Sequence, residues 1–234
     1  WNLYLIHDIS WWTHIMLVLI FLNELPYSKH FHVVMSIPNV YFSNIENLGK
    51  MENMPSVTKE VKLMMDPNAD PYATPSVDAP APEAFGAKDV TDLNWVQLMN
   101  AYSCTECGRC TSECPANQTG KLLSPRKIMM DTRQRLKEVG KNIDKHGKDY
   151  SDNKSLLNDY ISTEELWACT TCNACTQACP LNIDPLSIIV DLRRHLVMEQ
   201  SAAPQELNMM FNNVENNGAP WQFPAADRLK WKDE

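Results

Sequence analysis

The first 45 residues of the chain are mainly apolar and aromatic, in contrast to the polar stretches that follow. Between Asp8 and Glu24 no residue carries a formal charge. A membrane-spanning helix needs about 20 mainly apolar residues, so this uncharged run is short for a span. On length alone, a buried core helix is the alternative to a membrane helix.

Aromatic and basic residues flank this run and favour the membrane interpretation. Trp11 and Trp12 lie at one end, and Tyr27 and Lys29 follow the other end. Such residues anchor helices at membrane interfaces, and lysines stay preferentially on the cytoplasmic side. We therefore expect a helix in the inner (cytoplasmic) membrane within residues 1–45, with the rest of the chain in the cytoplasm.

The remaining chain divides into three parts by composition. Residues 46–65 are a short amphipathic connector, and residues 66–90 are rich in proline and polar residues, which is typical of an extended linker. From residue 91 to about residue 217 the pattern is helical and compact. The aromatic tail, residues 218–234, is expected to lead to or dock on a partner domain.

Capping signals predict the helices of the compact region. Each signal is a small polar residue; two precede a proline at the first helical position, and one fits a capping box. The predicted helices run from Thr91 or Asp92 to Tyr102, from Ser124 toward Gly140, from Ser162 onward, and from Asp184 toward Gln200. Residues 141–160 are predicted to form a loop, and Gly218 is predicted to end a final helix.

Composition favours an all-α fold and excludes two classes of protein. The 15 prolines against 7 glycines suit helices with stiff connections better than a hairpin-rich sheet. The mean hydropathy of -0.35 excludes a polytopic membrane protein, and the net charge of -8 argues against a nucleic-acid partner. Because the sequence starts at Trp1 without a signal-peptide pattern, we expect it to begin partway through a longer gene product.

All eight cysteines fall in two short segments with the same spacing. Each segment reads Cys-x2-Cys-x2-Cys-x3-Cys-Pro and precedes a capped, proline-initiated helix, so the region contains an internal repeat. A disulfide framework spreads its cysteines between distant loops, so this clustering predicts metal binding in a reducing compartment. The motifs are Cys104, Cys107, Cys110 and Cys114 before Pro115, and Cys169, Cys172, Cys175 and Cys179 before Pro180.

The spacing is that of ferredoxins with two 4Fe-4S clusters, in which the fourth cysteine binds the other cluster. It predicts a first cluster on Cys104, Cys107, Cys110 and Cys179, and a second cluster on Cys169, Cys172, Cys175 and Cys114. The alternative, two structural zinc sites, has no use for a third cysteine at this spacing. The sequence contains neither a dinucleotide-binding glycine motif nor a P-loop. We therefore expect an electron-transfer component without a substrate site of its own.

Histidines in the apolar region suggest a further cofactor. If the helix continues past Pro26, then His14 and His32 are about five turns apart and share one face. Two histidines on one face of a transmembrane helix are able to serve as axial ligands of two haems. Alternatively, His30 and His32 sit at the membrane interface and His14 forms a hydrogen bond within a helical bundle.

Two parts of the sequence resemble known families. Trp12-Thr-His, followed by Leu-Pro-Tyr-Ser-Lys-His-Phe-His at 25–32, resembles the last helix of the dihaem cytochrome b (gamma) subunit of respiratory nitrate reductases. Cys-Gly-Arg-Cys at 107–110 and Leu-Ser-Pro at 123–125 resemble the C subunit of heterodisulfide reductase. The combination is similar to membrane-bound electron-transfer-flavoprotein:menaquinone oxidoreductases.

The resemblance implies cofactors and partners beyond the two clusters. It implies haem b on His14 and His32, paired with histidines of an earlier helix that this sequence lacks. It also implies a cysteine-rich subunit or domain, a flavoprotein electron donor and the menaquinone pool as redox partners.

The sequence therefore predicts an all-α protein with a transmembrane helix and an α-helical ferredoxin-like domain. Its predicted parts are the last helix of a cytochrome b-like domain (1–45), a connector and linker (46–90), the dicluster domain (91–217) and the tail (218–234). The predicted function is relay of electrons between a soluble donor or cysteine-rich partner and haem b or menaquinone. The alternatives are a soluble heterodisulfide reductase-like or anaerobic glycerol-3-phosphate dehydrogenase-like subunit, and a zinc-stapled scaffold without a redox role.

Overall fold

The structure, a computed structural model, is all-α within the residues that it describes. These are residues 2–28, 30–66, 84–148 and 150–232. Within these ranges there is no strand, and the one β-type pairing is an isolated bridge between Leu157 and Ile161. The predicted all-α class is therefore confirmed.

The first helix, α1, spans Asn2–Glu24 and has no buried residue. With the turn that follows it forms a 26-residue segment, Asn2–Tyr27, with a mean hydropathy of 1.6. Among the described helices it is the one long and apolar enough to cross a membrane. The described part of the chain leaves the apolar surface of this helix uncovered.

Helix α1 does not continue past Pro26. Leu25–Tyr27 forms a single 3-10 turn, and a new helix, α2, spans Phe31–Tyr41. Proline lacks an N–H donor and clashes with the preceding helical turn, so it ends the helix here rather than kinking it. The predicted single helix with His14 and His32 on one face is therefore wrong, because His14 lies on α1 and His32 on α2.

Ten further helices follow in the described part of the chain. In chain order they are α3 Pro55–Met65, α4 Trp95–Ser103, α5 Arg109–Ser112, α6 Pro115–Gln118, α7 Pro125–His146, α8 Leu156–Asp159, α9 Thr163–Ala168, α10 Ala174–Gln177, α11 Pro185–Arg194 and α12 Gln205–Asn217. Helix α11 continues as one π-helical turn, His195–Glu199.

Helix α2 packs against α4, in the cysteine-containing region. Phe31 meets Tyr102 edge to face with ring centroids 5.8 Å apart, and Phe42 meets Trp95 in the same way at 4.9 Å. The start of α2 therefore contacts the end of α4, and the end of α2 contacts the start of α4, so the two helices run antiparallel. The sequence placed α2 with the apolar N-terminal part, whereas the structure packs it with the domain that follows the linker.

Three of the predicted N-caps are confirmed. Ser124, Ser162 and Asp184 accept backbone N–H bonds at the starts of α7, α9 and α11. The glycine that ends α7 is Gly147, with a φ of 91°, whereas Gly140 remains helical. The loop predicted after α7 therefore begins later than expected, because a glycine inside a long helix costs only about 1 kcal/mol.

Helix α4 begins later than predicted. Asn94 and Gln97 form its capping box, whereas Thr91 and Asp92 belong to a separate 3-10 turn that Asp89 caps. The sequence contains two capping signals in succession, and the second starts the longer helix.

The core of the cysteine-containing region lies between α4, α7, α9 and α11. It is built of aliphatic side chains that are at most 1% exposed: Leu123, Ile128, Met129, Leu156, Leu157, Ile161, Leu166, Ile188, Ile189, Leu192 and Leu196. Arg135 of α7 is also buried, because its guanidinium pairs with Asp89 and Asp152. This ion pair joins α7 to the segments before α4 and before α8.

Most of the predicted linker, residues 67–83, lies outside the described residues. The chain docks on α11 soon afterwards, since Ala87 is buried and its N–H donates to the carbonyl of Asp191 at 3.0 Å. Gly86 has a φ of 69°, and a Cβ there would overlap the Asp191 carbonyl and lie 2.6 Å from the backbone nitrogen of His195. The packed region thus starts before residue 91, the boundary predicted from composition.

The final helix, α12, ends at Gly218 as predicted, with this glycine in the left-handed conformation. No residue of α12 is buried. Its apolar residues and those of the tail are exposed, notably Phe211, Trp221 and Trp231.

Candidate metal centre

The two cysteine loops share one backbone conformation. In each loop the second and fourth residues after the first cysteine have a positive φ. These residues are Glu106 (60°) and Gly108 (83°) in the first loop, and Thr171 (55°) and Asn173 (60°) in the second. Left-handed residues turn the chain sharply, so each loop winds around a common centre.

A threonine after the third cysteine ties each loop to the helix that follows. Thr111 Oγ1 lies 2.9 Å from Ser124 Oγ, and Thr176 Oγ1 donates to Asp184 Oδ1 at 3.2 Å. Ser124 and Asp184 are the N-caps of α7 and α11. The internal repeat therefore extends from the cysteines to a hydrogen-bond network that joins each loop to a rigid helix.

Cysteines from different motifs lie close together. Burial raises the pKa of Cys104 and Cys110, and the field of Cys179 raises it further. Burial also raises the pKa of Cys169, to which the field of Cys114 adds. The fourth cysteine of each motif is thus a neighbour of the other motif's cysteines.

A small apolar cavity separates the first loop from the chain around Cys179. Its cysteine walls are Cys104, Cys107, Cys110, Cys175 and Cys179. Met129, Leu181 and Ile183 supply apolar walls. Burial in these surroundings raises the pKa of Cys175 to about 12.

The donor set suits iron–sulfur clusters. Its donors are cysteine thiols, the ligands that 4Fe-4S clusters use. Among the described residues, no three His, Cys, Asp or Glu side chains converge closely enough to hold a single metal ion. A four-iron cluster needs its thiolates spread around its corners, because each binds a different iron. The arrangement of thiols around the loops and the cavity fits that requirement.

An arginine on the helix after each motif binds the start of its loop. Arg133 of α7 donates to the carbonyl of Cys104 at 3.1 Å and pairs with Glu106. Arg193 of α11 donates to the carbonyl of Cys169 at 2.6 Å. Sequence reasoning missed both arginines, although they occupy the same position relative to the proline that starts each helix.

The two histidines predicted to bind haem lie on different helices. His14 is exposed on α1, and His32 is half-buried on α2. The ring of His30 lies 6.5 Å from that of His32 and 6.3 Å from that of Phe21. Haem ligation by His14 and His32 stays a prediction.

Comparison with known protein families identifies the cysteine-containing region. A family profile described as "4Fe-4S dicluster domain" matches residues 103–183, which include both motifs. The chain contains a 4Fe-4S dicluster domain. The predicted iron–sulfur clusters are supported by this match together with the eight cysteines.

The first two relatives of the chain are larger redox proteins. The chain is 32% identical over 257 residues to the probable iron-sulfur-binding oxidoreductase FadF of Bacillus subtilis. The alignment covers 97% of this chain and 33% of FadF. The chain is 30% identical over 247 residues to the EtfAB:quinone oxidoreductase of Syntrophomonas wolfei. This alignment covers 97% of the chain and 31% of the relative. The chain thus spans about a third of the length of both proteins.

Two further relatives match smaller shares of the chain. A probable membrane-anchored ferredoxin of Chromohalobacter salexigens is 34% identical over 66% of this chain and 25% of the relative. The C subunit of the ferredoxin/F(420)H(2)-dependent CoB-CoM heterodisulfide reductase of Methanosarcina acetivorans is 32% identical over 51% of this chain and 60% of the relative. The relatives confirm the predicted resemblance to flavoprotein:quinone oxidoreductases and to the C subunit of heterodisulfide reductase. The chain is therefore related to iron–sulfur electron-transfer oxidoreductases.

Proposed function

We propose that the chain is the electron-transfer part of a membrane-bound, quinone-linked respiratory oxidoreductase. Its dicluster domain relays single electrons between a soluble flavoprotein or cysteine-rich partner and haem b or menaquinone. Iron–sulfur clusters, when bound, supply one-electron transfer at potentials that the protein tunes. The chain's own residues hold the clusters close together and attach them to the membrane helix.

The observation that carries the proposal is the proximity of cysteines from different motifs. We assign the first cluster to Cys104, Cys107, Cys110 and Cys179, and the second cluster to Cys169, Cys172, Cys175 and Cys114. The assignment is supported by the fields that Cys179 exerts on Cys104 and that Cys114 exerts on Cys169. Exchange of the fourth ligand keeps the clusters near each other, which a relay requires.

The docking of α2 supports a position of the first cluster on the membrane side. Helix α2 follows α1 after one turn, and its Met35 carbonyl accepts a hydrogen bond from Ser103 Oγ at 3.2 Å, directly before the first cysteine. Farther along α2, Asn39 Nδ2 donates to the carbonyl of Leu181 at 2.9 Å, two residues after Cys179. Helix α2 therefore contacts the chain beside one first-cluster cysteine from each motif.

The chain beyond α2 leads away toward the second loop. Ser43 Oγ accepts a hydrogen bond from Asn182 at 3.3 Å, and Gly49 approaches Asn173 between the second-loop cysteines. Counted from the end of α1, the chain meets the first cluster's surroundings before those of the second. We therefore place the second cluster on the side of the soluble redox partner.

The membrane location rests on α1 and on one relative. Helix α1 is apolar on all sides and has no buried residue, and a relative that matches 66% of the chain is named a probable membrane-anchored ferredoxin. With lysines concentrated after α1, the proposed location is the inner membrane, with the clusters on the cytoplasmic side.

A second candidate is the dicluster subunit of a heterodisulfide reductase-like complex, with α1 as an interface helix. The match to the C subunit of a heterodisulfide reductase over 51% of the chain favours it. Extraction without detergent distinguishes the two candidates, since a membrane helix resists extraction and an interface helix does not. The anaerobic glycerol-3-phosphate dehydrogenase-like alternative predicts the same solubility.

Cysteine variants test the cluster assignment. Under the proposal, Cys179→Ser and Cys110→Ser both lose the first cluster. Cys114→Ser and Cys175→Ser both lose the second cluster. Electron paramagnetic resonance (EPR) spectra of the reduced variants identify the missing cluster. If Cys179→Ser instead lost the same cluster as Cys175→Ser, the fourth cysteine would bind the cluster of its own motif, and the proposed assignment would be rejected. A colourless protein that contains zinc and no iron would reject the redox function altogether.

An optical difference spectrum tests the route to quinone. The complex is extracted from membranes and its dithionite-reduced spectrum is compared with its air-oxidised spectrum. A narrow b-type α band above broad iron–sulfur bleaching supports transfer through haem and makes His14 and His32 the residues to mutate. Broad bleaching alone retains the clusters and removes the haem assignment.

A further inference from the structure

Arg133 and Arg193 occupy matching positions in the two repeats but differ in how their charge is balanced. Arg133 pairs with Glu106 of the first loop; their side chains are 19% and 43% exposed. Arg193 has only neutral hydrogen-bond acceptors among the described residues, the carbonyls of Leu166 and Cys169. One arginine is therefore neutralised by a loop carboxylate, and the other is not.

Arg193 is also held in surroundings that screen its charge poorly. Its guanidinium lies 4.9 Å from the centroid of the Trp167 ring, and burial lowers its pKa. The reach of a charge increases as the effective dielectric constant falls. The positive charge of Arg193 is thus well placed to act on nearby groups.

Both guanidiniums stand at the first cysteine of their loop. Their hydrogen bonds to the carbonyls of Cys104 and Cys169 are 3.1 and 2.6 Å long. Each arginine therefore places a positive charge beside a thiol that is a proposed cluster ligand. A group that favours negative charge on a ligand also favours the reduced state of a bound cluster, which carries one more negative charge.

We propose that Arg193 raises the reduction potential of the second cluster, and that Glu106 screens the corresponding effect of Arg133 on the first. An unbalanced cation stabilises the more negative, reduced form, whereas a guanidinium–carboxylate pair has little net field at a distance. The arginines act through their charge and are not themselves cluster ligands. The inference rests on the proposed cluster assignment.

Redox titrations followed by EPR test the inference on the full chain. In Arg193→Gln we expect the potential of the second cluster to fall, so that its reduced-to-oxidised ratio at a fixed potential drops about tenfold, or ~59 mV for one electron. The matched double variant Arg133→Gln/Glu106→Gln removes both charges of the pair and should change the first cluster's ratio by less than about threefold. Equal shifts in the two variants, or no shift in Arg193→Gln, overturn the inference.

Two charge-specific variants separate electrostatics from structure. Glu106→Gln removes the screening carboxylate and should raise the first cluster's potential. Its reduced-to-oxidised ratio at a fixed potential should then increase about tenfold. Arg193→Lys keeps the charge but loses the planar fork, so the second cluster's potential should stay near that of the parent. A fall as large as that in Arg193→Gln would assign the effect to the carbonyl hydrogen bonds instead.

The variants decide the question even if Arg193→Gln loses its second cluster. In that case an unchanged potential in Glu106→Gln, or a lowered one in Arg193→Lys, overturns the inference. Asp184 beside Cys175 and Arg109 beside Cys107 also contribute to the potentials, but they are the same in every variant. If the cysteine variants do not lose the clusters assigned to them above, the cluster assignment itself is rejected. That result differs from unchanged reduction potentials in the arginine and glutamate variants.

Discussion

Arg135 joins three separate parts of the chain through charged hydrogen bonds. It donates to Asp89 at 2.7 Å, to Asp152 at 2.6 Å and to the carbonyl of Lys154 at 2.7 Å. The guanidinium is almost completely buried, so the two carboxylates depend on it for compensation. Hydrogen bonding from Arg135 lowers the pKa of Asp152 to about 2.

Replacing this arginine should destabilise the domain strongly. Arg135→Met leaves Asp89 and Asp152 without their cation, which costs about 3 kcal/mol for a buried pair. The measurement is the unfolding midpoint by helical circular dichroism under anaerobic conditions. Lys50→Met is the matched control, because Lys50 and Glu46 form an exposed pair worth less than about 1 kcal/mol. Similar midpoints for the two variants would contradict the role of the buried pair.

The same ion pair gives stability a defined dependence on pH. The folded pKa of Asp152, about 2, lies below its ordinary value of 3.8. Its contribution is therefore complete above about pH 4 and is lost as the pH falls through 2. Comparison of Asp152→Asn with the parent should show a stability difference at pH 6 that shrinks toward pH 3. A difference independent of pH would argue against this charge effect.

Among the secondary-structure elements, α11 receives contacts from the connector before α3 and from the end of the linker. The segment before α4 docks on it through Ala87, and Arg194 donates to the carbonyl of Glu52, just before α3, at 2.6 Å. Gly86 permits the first contact, since its φ of 69° and its closeness to the α11 backbone leave no room for a side chain.

Two glycine variants should have opposite effects. Gly86→Ala forces a Cβ into the backbone of α11 and should destabilise the domain by more than about 1 kcal/mol. Gly140→Ala lies in α7 with no atom within 4 Å of the added Cβ and should stabilise it by about 0.5–1 kcal/mol. Chemical denaturation followed by circular dichroism measures both. Destabilisation by both alanines would indicate a general intolerance rather than a tight docking contact.

Helix α2 depends on one buried amide for its attachment to the second motif. Asn39 is 1% exposed and donates to the carbonyl of Leu181. Asn39→Ala leaves that carbonyl without its donor, which costs roughly 1–3 kcal/mol, so amide hydrogen exchange in α2 and around Leu181 should accelerate. Ser36→Ala is the control, because the Ser36 hydroxyl donates to the carbonyl of Val33 in its own helix. Equal exchange in both variants would mean that the amide does not hold α2.

Across the whole molecule, local signals in the sequence predicted the structure better than long-range ones. Ser124 and Asp184 were predictable because a cap acts on its own helix. The attachment of α2 through Asn39 depends on Leu181, a partner far along the chain that periodicity does not reveal. The end of α1 at Pro26 is a local effect of proline, but periodicity alone does not distinguish a helix end from a kink. The arginines of α7 and α11 were visible only as matching positions of the repeat.

The candidate site was predictable to the same extent. Cysteine spacing alone separated the two motifs and suggested the exchange of fourth ligands, because the spacing itself restricts which thiols reach one centre. The hydrogen bonds of Thr111 and Thr176 to the helix caps were not predicted, since they require knowledge of how each loop folds back.

The order of the clusters relative to the membrane is a property of the whole molecule. In liposomes with a gadolinium-chelating lipid, the EPR signal of the first cluster should relax faster than that of the second, because in the proposed arrangement α2 joins the first cluster to the end of α1. Lanthanum in place of gadolinium is the diamagnetic control. Stronger relaxation of the second cluster would reverse the proposed order, whereas failure to bind liposomes would reject the membrane helix instead.

The proposed binding of Cys179 to the cluster of the first motif has a consequence for biosynthesis. A ribosome exposes the whole first motif long before it has translated Cys179. With the proposed ligands, a nascent chain of that length has three of the four thiolates and no means to complete either cluster. Iron insertion must then wait until the entire domain has emerged, and truncated translation products are left with bare thiols that are open to oxidation.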